Sequence, residues 1–183
     1  RAENERRQNR LIVGQYLPPR LVEYYARHMD ALRLGGETRE LTVLFTDIRG
    51  FTAISERYAG DPQGLTRIIN LLMSGISAEI LDRRGEIDKY MGDAAMAFWN
   101  APEPVPNHAE LACRAALAIQ ERVDRMNREW ATDPTIAVEG KKLPDVRVGV
   151  GLNTGLCLVG NLGSDVRLSY AALGDPVNLG SRI

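Results

Sequence analysis

The period of the apolar positions changes several times along this chain, and each change predicts an element. Leu41 to Ile48 (LTVLFTDI) alternates β-branched and apolar residues and predicts a buried strand. Gly50 turns the chain, and FTAISERYAG begins a helix. From Gln63 to Arg83 the residues Leu65, Ile68, Ile69, Leu72, Ile76, Ile80 and Leu81 recur at helical spacing, which predicts a longer helix with one buried stripe. EIDKYM and AAMAFW follow as short strands joined by Gly92-Asp93, with glycine at the first position of a type II′ hairpin turn. Pro102, Pro104 and Pro106 predict a loop before a helix from His108 to Glu129. A polar loop, ATDPTIAVEGKK, leads into the strand segments VRVGVGLNTG, LCLVGN and RLSYAAL, and Asp175-Pro176 opens a last helix. The order βααββαββ(β)α predicts an α/β (α+β) sandwich, with a largely antiparallel sheet and helices on its outer face.

Upstream of the first strand the pattern is helical over residues 1 to 34, broken at Pro18-Pro19. RAENERRQNRLIVGQY is too polar to fold alone, whereas Leu21, Val22, Tyr25, His28 and Met29 share one helical face. Gly35-Gly36 closes the segment, so residues 1–36 form a connecting segment and residues 37–183 the main domain. The segment either packs on the domain or carries a signal from an upstream region.

Composition narrows the class without naming a chemistry. A chain of 183 residues, 44% hydrophobic and 26% charged, suits one soluble domain. With 23 basic and 24 acidic residues the net charge is −1, so nothing calls for nucleic acid. Cys113 and Cys157 match no metal spacing and are expected to be reduced and buried, which fits the cytosol. Runs such as Leu41 to Phe45 and Ala94 to Trp99 are too short to cross a bilayer, and the charged first ten residues do not form a signal peptide. A cytoplasmic location is the expectation, whether free or as the cytoplasmic part of an anchored protein.

Two acids carry the candidate chemistry. Asp47 stands where a buried strand gives way to a helix, the place where α/β folds bind ligands because N–H groups of the helix start face outward. DIRGFT supplies a carboxylate for a cation, a glycine that admits close backbone approach, and N–H donors for phosphate oxygens. Asp93 occupies the hairpin turn, and a hairpin lying beside the first strand brings the two acids together. Carboxylates that close need a cation between them. Two oxygen-liganded ions would clamp the attacking and leaving oxygens of a phosphoryl transfer. Taken singly, Asp47 is equally a helix cap and Asp93 equally a turn residue. The residues alone reach no further than two-metal nucleotide chemistry.

FTDIRGFT followed by DKYMGDAAMAFW resembles class III adenylate and guanylate cyclases, and VGVGLNTGLCLVGNLG and YAALGDPVNLGSR are similar to that family's later blocks, in the same order. The resemblance covers Arg39 to Ile183 and implies the ferredoxin-like, palm-type cyclase fold. It implies a homodimer whose site lies between two catalytic domains. Asp47 and Asp93 of one subunit would hold two divalent ions, Mg²⁺ or Mn²⁺, with the Ile48 backbone carbonyl as a further ligand. Backbone groups of Gly50, Phe51 and Thr52 would meet the β- and γ-phosphates. From the other subunit, Lys89 matches the lysine that reads adenine, while Asn178 and Arg182 match the pair that positions the ribose and stabilises charge at the α-phosphate. Such a two-fold dimer has two equivalent sites. The implied reaction is in-line attack of the ribose 3′ oxygen of ATP on the α-phosphorus, giving cyclic AMP and pyrophosphate without a covalent intermediate. A lysine donates to adenine N1, whereas the same edge of guanine presents a donor, so Lys89 favours ATP.

The chain departs from the family pattern in places. Ala171 stands where an Asp or Thr accepts from the adenine amino group, and losing that hydrogen bond weakens discrimination by about 1 kcal/mol. Gly180 replaces an alanine inside the last helix, at a cost of up to about 1 kcal/mol in propensity. The family's phosphate-binding lysine falls beyond Ile183. Ala171 suggests, and Lys89 opposes, a guanylate or mixed-specificity cyclase. A non-catalytic cyclase-like module is opposed by the presence of Asp47, Asp93, Asn178 and Arg182. A diguanylate cyclase or polymerase palm would not explain VNLGSR. The helical segment is expected to connect to an upstream sensor or membrane region and to set the angle between subunits.

Overall fold

The computed structural model describes residues 19–31, 33–136, 143, 145–164 and 167–183. One five-stranded sheet runs in the order β2-β3-β1-β4-β5, from β1 (Gly35–Arg49), β2 (Glu86–Met91), β3 (Ala94–Trp99), β4 (Arg147–Ser164) and β5 (Arg167–Leu173). Every pairing is antiparallel. The helices are α1 (Pro19–Arg27), α2 (Phe51–Arg57), α3 (Pro62–Leu81), α4 (His108–Trp130) and α5 (Asp175–Gly180). This is the α+β class that the hydrophobic pattern predicts.

Two expectations about the strands are corrected. VRVGVGLNTG and LCLVGN form one strand, because Thr154 and Gly155 stay in register with Thr42 and Leu41 and the ladder with β1 never breaks. The ladder runs without a gap from Gly35 opposite Asn161 to Arg49 opposite Arg147, so no unpaired stretch is left where a turn could form. Gly35 and Gly36 do not close the preceding segment but begin β1, opposite Asn161 and Gly160. A side chain at Gly36 would press on the Val159 carbonyl at 3.0 Å, so glycine allows this close pairing.

Alternation along the strands divides the interior in two. Leu44, Ile48, Ala95, Ala97 and Trp99 join Ile68, Leu72, Ile76 and Ile80 of α3 and Ala112, Ala115, Ile119 and Val123 of α4 in the main core. Leu41, Val43, Met96, Phe98, Val159 and Ala172 form a smaller cluster on the other face, where Phe45 and Val177 of α5 pack. Helix α3 opens on Asp61, whose carboxylate accepts from Gly64 N at 2.9 Å, with Pro62 in the first turn. Its 20 residues and mean hydropathy of 1.2 are long and apolar enough to cross a membrane by composition alone. The buried stripe of Ile68, Leu72, Ile76 and Ile80 makes it the core helix instead.

Helix α1 packs through Leu21 and Tyr25, and the Tyr25 hydroxyl donates to Asn161 Oδ1 on β4. Asn161 Nδ2 in turn donates to the carbonyls of Ala31 and Arg33 at 2.8 and 3.1 Å. His28 and Met29, expected on the same buried face, are exposed because the helix ends at Arg27 and a 3₁₀ turn takes over at Met29. The helix expected before Pro18 and the part of the polar loop at 137–142 lie outside the described residues. Cys157 is buried as expected, but Cys113 is exposed, since it follows Ala112 and so falls off the buried stripe of α4. Both thiols are free.

Candidate active site

Asp47 sits near the end of β1 opposite Ala94, and Asp93 immediately precedes Ala94 in the turn between β2 and β3. Strand pairing therefore delivers both carboxylates to one place. Gly92 has φ of 64° and Asp93 does not share that sign, the pattern of a type II′ turn. Asp47 and Asp93 line an open cleft of about 500 Å³ together with Arg49, Gly149, Gly151 and Arg182. Among the described residues no cluster of three or more His, Cys, Asp or Glu side chains forms a metal cage. Two carboxylates without a third protein side chain suit a hard cation that keeps waters and shares a substrate's phosphates, so the donors present fit Mg²⁺ or Mn²⁺. Ile48 buries its side chain under the helices and is not among the cleft-lining residues, which leaves only its backbone for such a role.

Gly50, with φ of 70°, caps α2 in the left-handed conformation that glycine tolerates, and no side chain caps this helix. Phe51 and Thr52 form its first turn directly after the cleft-lining Arg49; none of the three lines the cleft itself.

The opposite wall depends on a stripe of small residues. Gly149, Gly151, Asn153 and Gly155 alternate along β4 and so share one face. A Cβ on Gly149 would meet the Arg49 guanidinium at 2.7 Å, one on Gly151 the Gly180 carbonyl at 2.7 Å, and one on Gly155 the Pro176 ring at 2.6 Å. Asn153 Nδ2 donates to the Pro176 carbonyl at 2.9 Å. The stripe is thus the seat of α5, and Gly180 closes the fit, within 3.1 to 3.4 Å of Val43 and Phe45 had it a Cβ. Asn178 is exposed on α5 and lies outside the cleft, whereas Arg182, in the turn that follows, lines the cleft of its own chain.

Lys89 and Ala171 lie elsewhere, where the outer strands of the sheet approach one another. Strand β2 is bulged: Ile87 faces Ala97 and Lys89 faces Met96, leaving Asp88 without an opposite residue. Unbroken alternation would turn Lys89 toward the helices with Ile87, and the bulge turns it to the Met96 face instead. Asp88 Oδ2 accepts from Ala172 N on β5 at 3.0 Å, and Lys89 Nζ lies 3.2 Å from Asp88 Oδ1. Three residues before Lys89, burial pushes the Glu86 carboxyl up to about 7; Arg20 on α1 opposes this and Glu103 adds to it.

The family model described as the adenylate and guanylate cyclase catalytic domain matches residues 36–183. The chain belongs to this cyclase family. Adenylate cyclase 1 of Rhizobium meliloti (strain 1021) is 34% identical over 100% of this chain and 26% of its own length. The chain thus spans about a quarter of that curated relative. The adenylyl cyclase CyaB from P. aeruginosa superposes with a TM-score of 0.72 at 34% identity, covering 81% of this chain and 72% of that one. The guanylyl cyclase Cya2 gives 0.71 at 32%, covering 82% and 71%. Adenylyl and guanylyl members are therefore almost equally similar to this cyclase domain.

Asp47, Asp93 and Arg182 converge in this cyclase chain, Lys89 and Ala171 flank a separate seam closed by their neighbours Asp88 and Ala172, and Asn178 joins neither group. Two residues escaped the sequence reading. Arg49 shares the cleft because it lies two places after Asp47 on the same strand face, a signal that period-two alternation carries. Asp88 carries no such signal, since a bulge leaves no mark in the pattern EIDKYM.

Proposed function

We propose that this chain is the catalytic domain of an adenylate cyclase that converts ATP to 3′,5′-cyclic AMP and pyrophosphate at the interface of a homodimer. The observation that carries the reading is that Asp47 and Asp93 come together in one open cleft next to Arg49 and Arg182. Two acids facing solvent beside two guanidinium groups match a metal-bound triphosphate in both signs of charge. Divalent cations held there would supply Lewis-acid activation of the ribose 3′-hydroxyl and neutralise the departing pyrophosphate.

The chain's own residues do the rest. Asp47 and Asp93 hold the cations, and the Ile48 carbonyl adds a ligand. The amides of the Gly50 cap and of Phe51 and Thr52 in the first turn donate to β- and γ-phosphate oxygens. Arg182 offers a planar fork to the α-phosphate, and Asn178 orients the ribose. Lys89 donates to adenine N1 and selects ATP over GTP. Lys89 and Ala171 do not line the cleft of their own chain, which supports a site completed by the seam of a second copy. The exposed Leu156, Leu158, Leu173 and Leu179 along β4, β5 and α5 supply apolar surface for that partner. Helix α1, tied to both β2 and β4, fits a connection to an upstream sensor or membrane region on the cytoplasmic side.

Purified chain incubated with ATP or GTP and Mn²⁺ or Mg²⁺ tests the reading. Cyclic AMP is expected from ATP, with little cyclic GMP from GTP, and Asp47→Ala or a chelator is expected to abolish it. Predominant cyclic GMP would make this a guanylate cyclase, the alternative that Ala171 favours. A dimeric chain that yields neither product would be a non-catalytic module.

A further inference from the structure

We propose that Asp88 sets the base selectivity of this site as a positioning residue, its buried carboxylate tying β2 to β5 and holding the Lys89 ammonium at that seam. The proposal rests on the reading of Lys89 as the residue that recognises the purine.

Strands β2 and β5 stand at opposite ends of the sheet order, so they share no ladder. The Asp88 carboxylate nevertheless accepts the Ala172 amide, which means that the sheet curls until its outer strands meet. The bulge makes this possible. Asp88 is the extra residue, released from pairing with β3, and its side chain is only 1% exposed. A carboxylate so buried needs compensation at each oxygen. It has both, with the Ala172 N–H on Oδ2 and the Lys89 ammonium on Oδ1.

The lysine remains open on its other side, with 46% of its side chain exposed. A lysine free in solvent loses rotamer entropy when a ligand fixes it. Pairing with Asp88 orders Lys89 beforehand and leaves its remaining N–H donors directed at a nucleotide. The neighbour of Ala172 in sequence is Ala171, which offers no side-chain acceptor. Discrimination between purines at this seam therefore falls on where the ammonium sits, and Asp88 decides that.

The test is a double-mutant cycle in the full chain, Asp88→Asn against Lys89→Met, with kcat and KM measured for ATP and for GTP. Asp88→Asn preserves shape and an acceptor for Ala172 while removing the charge that holds the ammonium. It is expected to lower the ratio of kcat/KM for ATP to that for GTP by about tenfold, the scale of one charged hydrogen bond. In the Lys89→Met background the same change is expected to leave the ratio alone. Equal losses for both nucleotides, an unchanged ratio in Asp88→Asn, or an equal shift in the Lys89→Met background would each overturn the proposal. Should Asp88→Asn melt below the assay temperature, Asp88→Glu, which moves the charge outward by one methylene, runs the same cycle under the same criteria. A Lys89→Met variant that keeps full ATP selectivity would instead remove the assignment of Lys89, and the role of Asp88 with it.

Discussion

Glu86 gives the sharpest physical prediction. It opens β2 with its side chain 5% exposed, and Arg20 Nε on α1 stands 3.7 Å from one carboxylate oxygen. The other oxygen, Oε2, and Arg20 Nη1 are buried with no hydrogen-bond partner. Arg20 also faces Glu103, which Arg27 reaches as well. The arginine is thus shared between two acids, and burial outweighs its attraction for Glu86, raising that carboxyl from 4.5 to about 7. Between those values the folded chain binds a proton that the unfolded chain has released. Stability therefore falls as pH rises through this window; the penalty is absent below about pH 4.5 and complete above about pH 7. A gap of about 2.5 between the two values, at about 1.4 kcal/mol each, puts the full penalty between about 3 and 4 kcal/mol.

Replacing Glu86 by Gln keeps the shape and removes the charge, while Arg20 retains Glu103 at 3.6 Å. The variant is expected to be more stable than the parent at pH 8, by about 1 to 3 kcal/mol once the cost of burying the Gln amide is set against the relieved penalty. Near pH 5 the two are expected to converge. Urea melts of both proteins across that range measure the difference, and the gain at pH 8 would also show as a rise of several degrees in Tm. A Gln variant that is less stable than the parent at pH 8, with a gap that does not change toward pH 5, would refute the reasoning. The Arg20–Glu86 pair would then be a net attraction that holds α1 to the sheet.

Gly151→Ala would drive a methyl to 2.7 Å from the Gly180 carbonyl, a backbone atom that cannot swing away, so α5 must lift from its seat. A loss of about 1 to 3 kcal/mol in a denaturant melt is expected, together with a fall in cyclase activity because Arg182 follows α5; full activity would show that α5 need not be seated. Tyr25→Phe would leave the buried Asn161 without its hydroxyl donor, lowering stability by about 1 kcal/mol. If α1 sets the geometry between subunits, dimerisation measured by sedimentation and turnover shift with it, and no change in either would sink that role.

The elements were legible because each carries its own local signal. The stripe Ile68, Leu72, Ile76 and Ile80 can only be a helix packed on one side, and Gly92 fixes a two-residue turn that puts Asp93 opposite the end of β1. That turn is why the pairing of Asp47 with Asp93 could be read from the chain. What stayed hidden depends on partners distant in sequence. Nothing local joins VRVGVGLNTG to LCLVGN; the unbroken edge of β1 does so. Cys113 looks like Cys157 by type, and only the phase of α4 separates them. Gly180, a plain propensity loss in isolation, is instead the residue that lets α5 lie against Val43 and Phe45.

The short strand β2 shows how these long-range features join. Glu86 faces Arg20 of α1, Asp88 bonds Ala172 of β5, Lys89 presents the candidate base reader, and Met91 reaches the cleft of Asp47 and Asp93. Four contacts of different purpose occupy six residues, and the bulge lets them coexist by turning Lys89 away from the helices. A displacement of α1 against Glu86 therefore acts on the strand that carries Lys89, only three residues away. Regulation from an upstream region, if it passes through α1, can reach base recognition through Arg20, Glu86 and β2, and the Glu86 and Asp88 variants probe the two ends of that path.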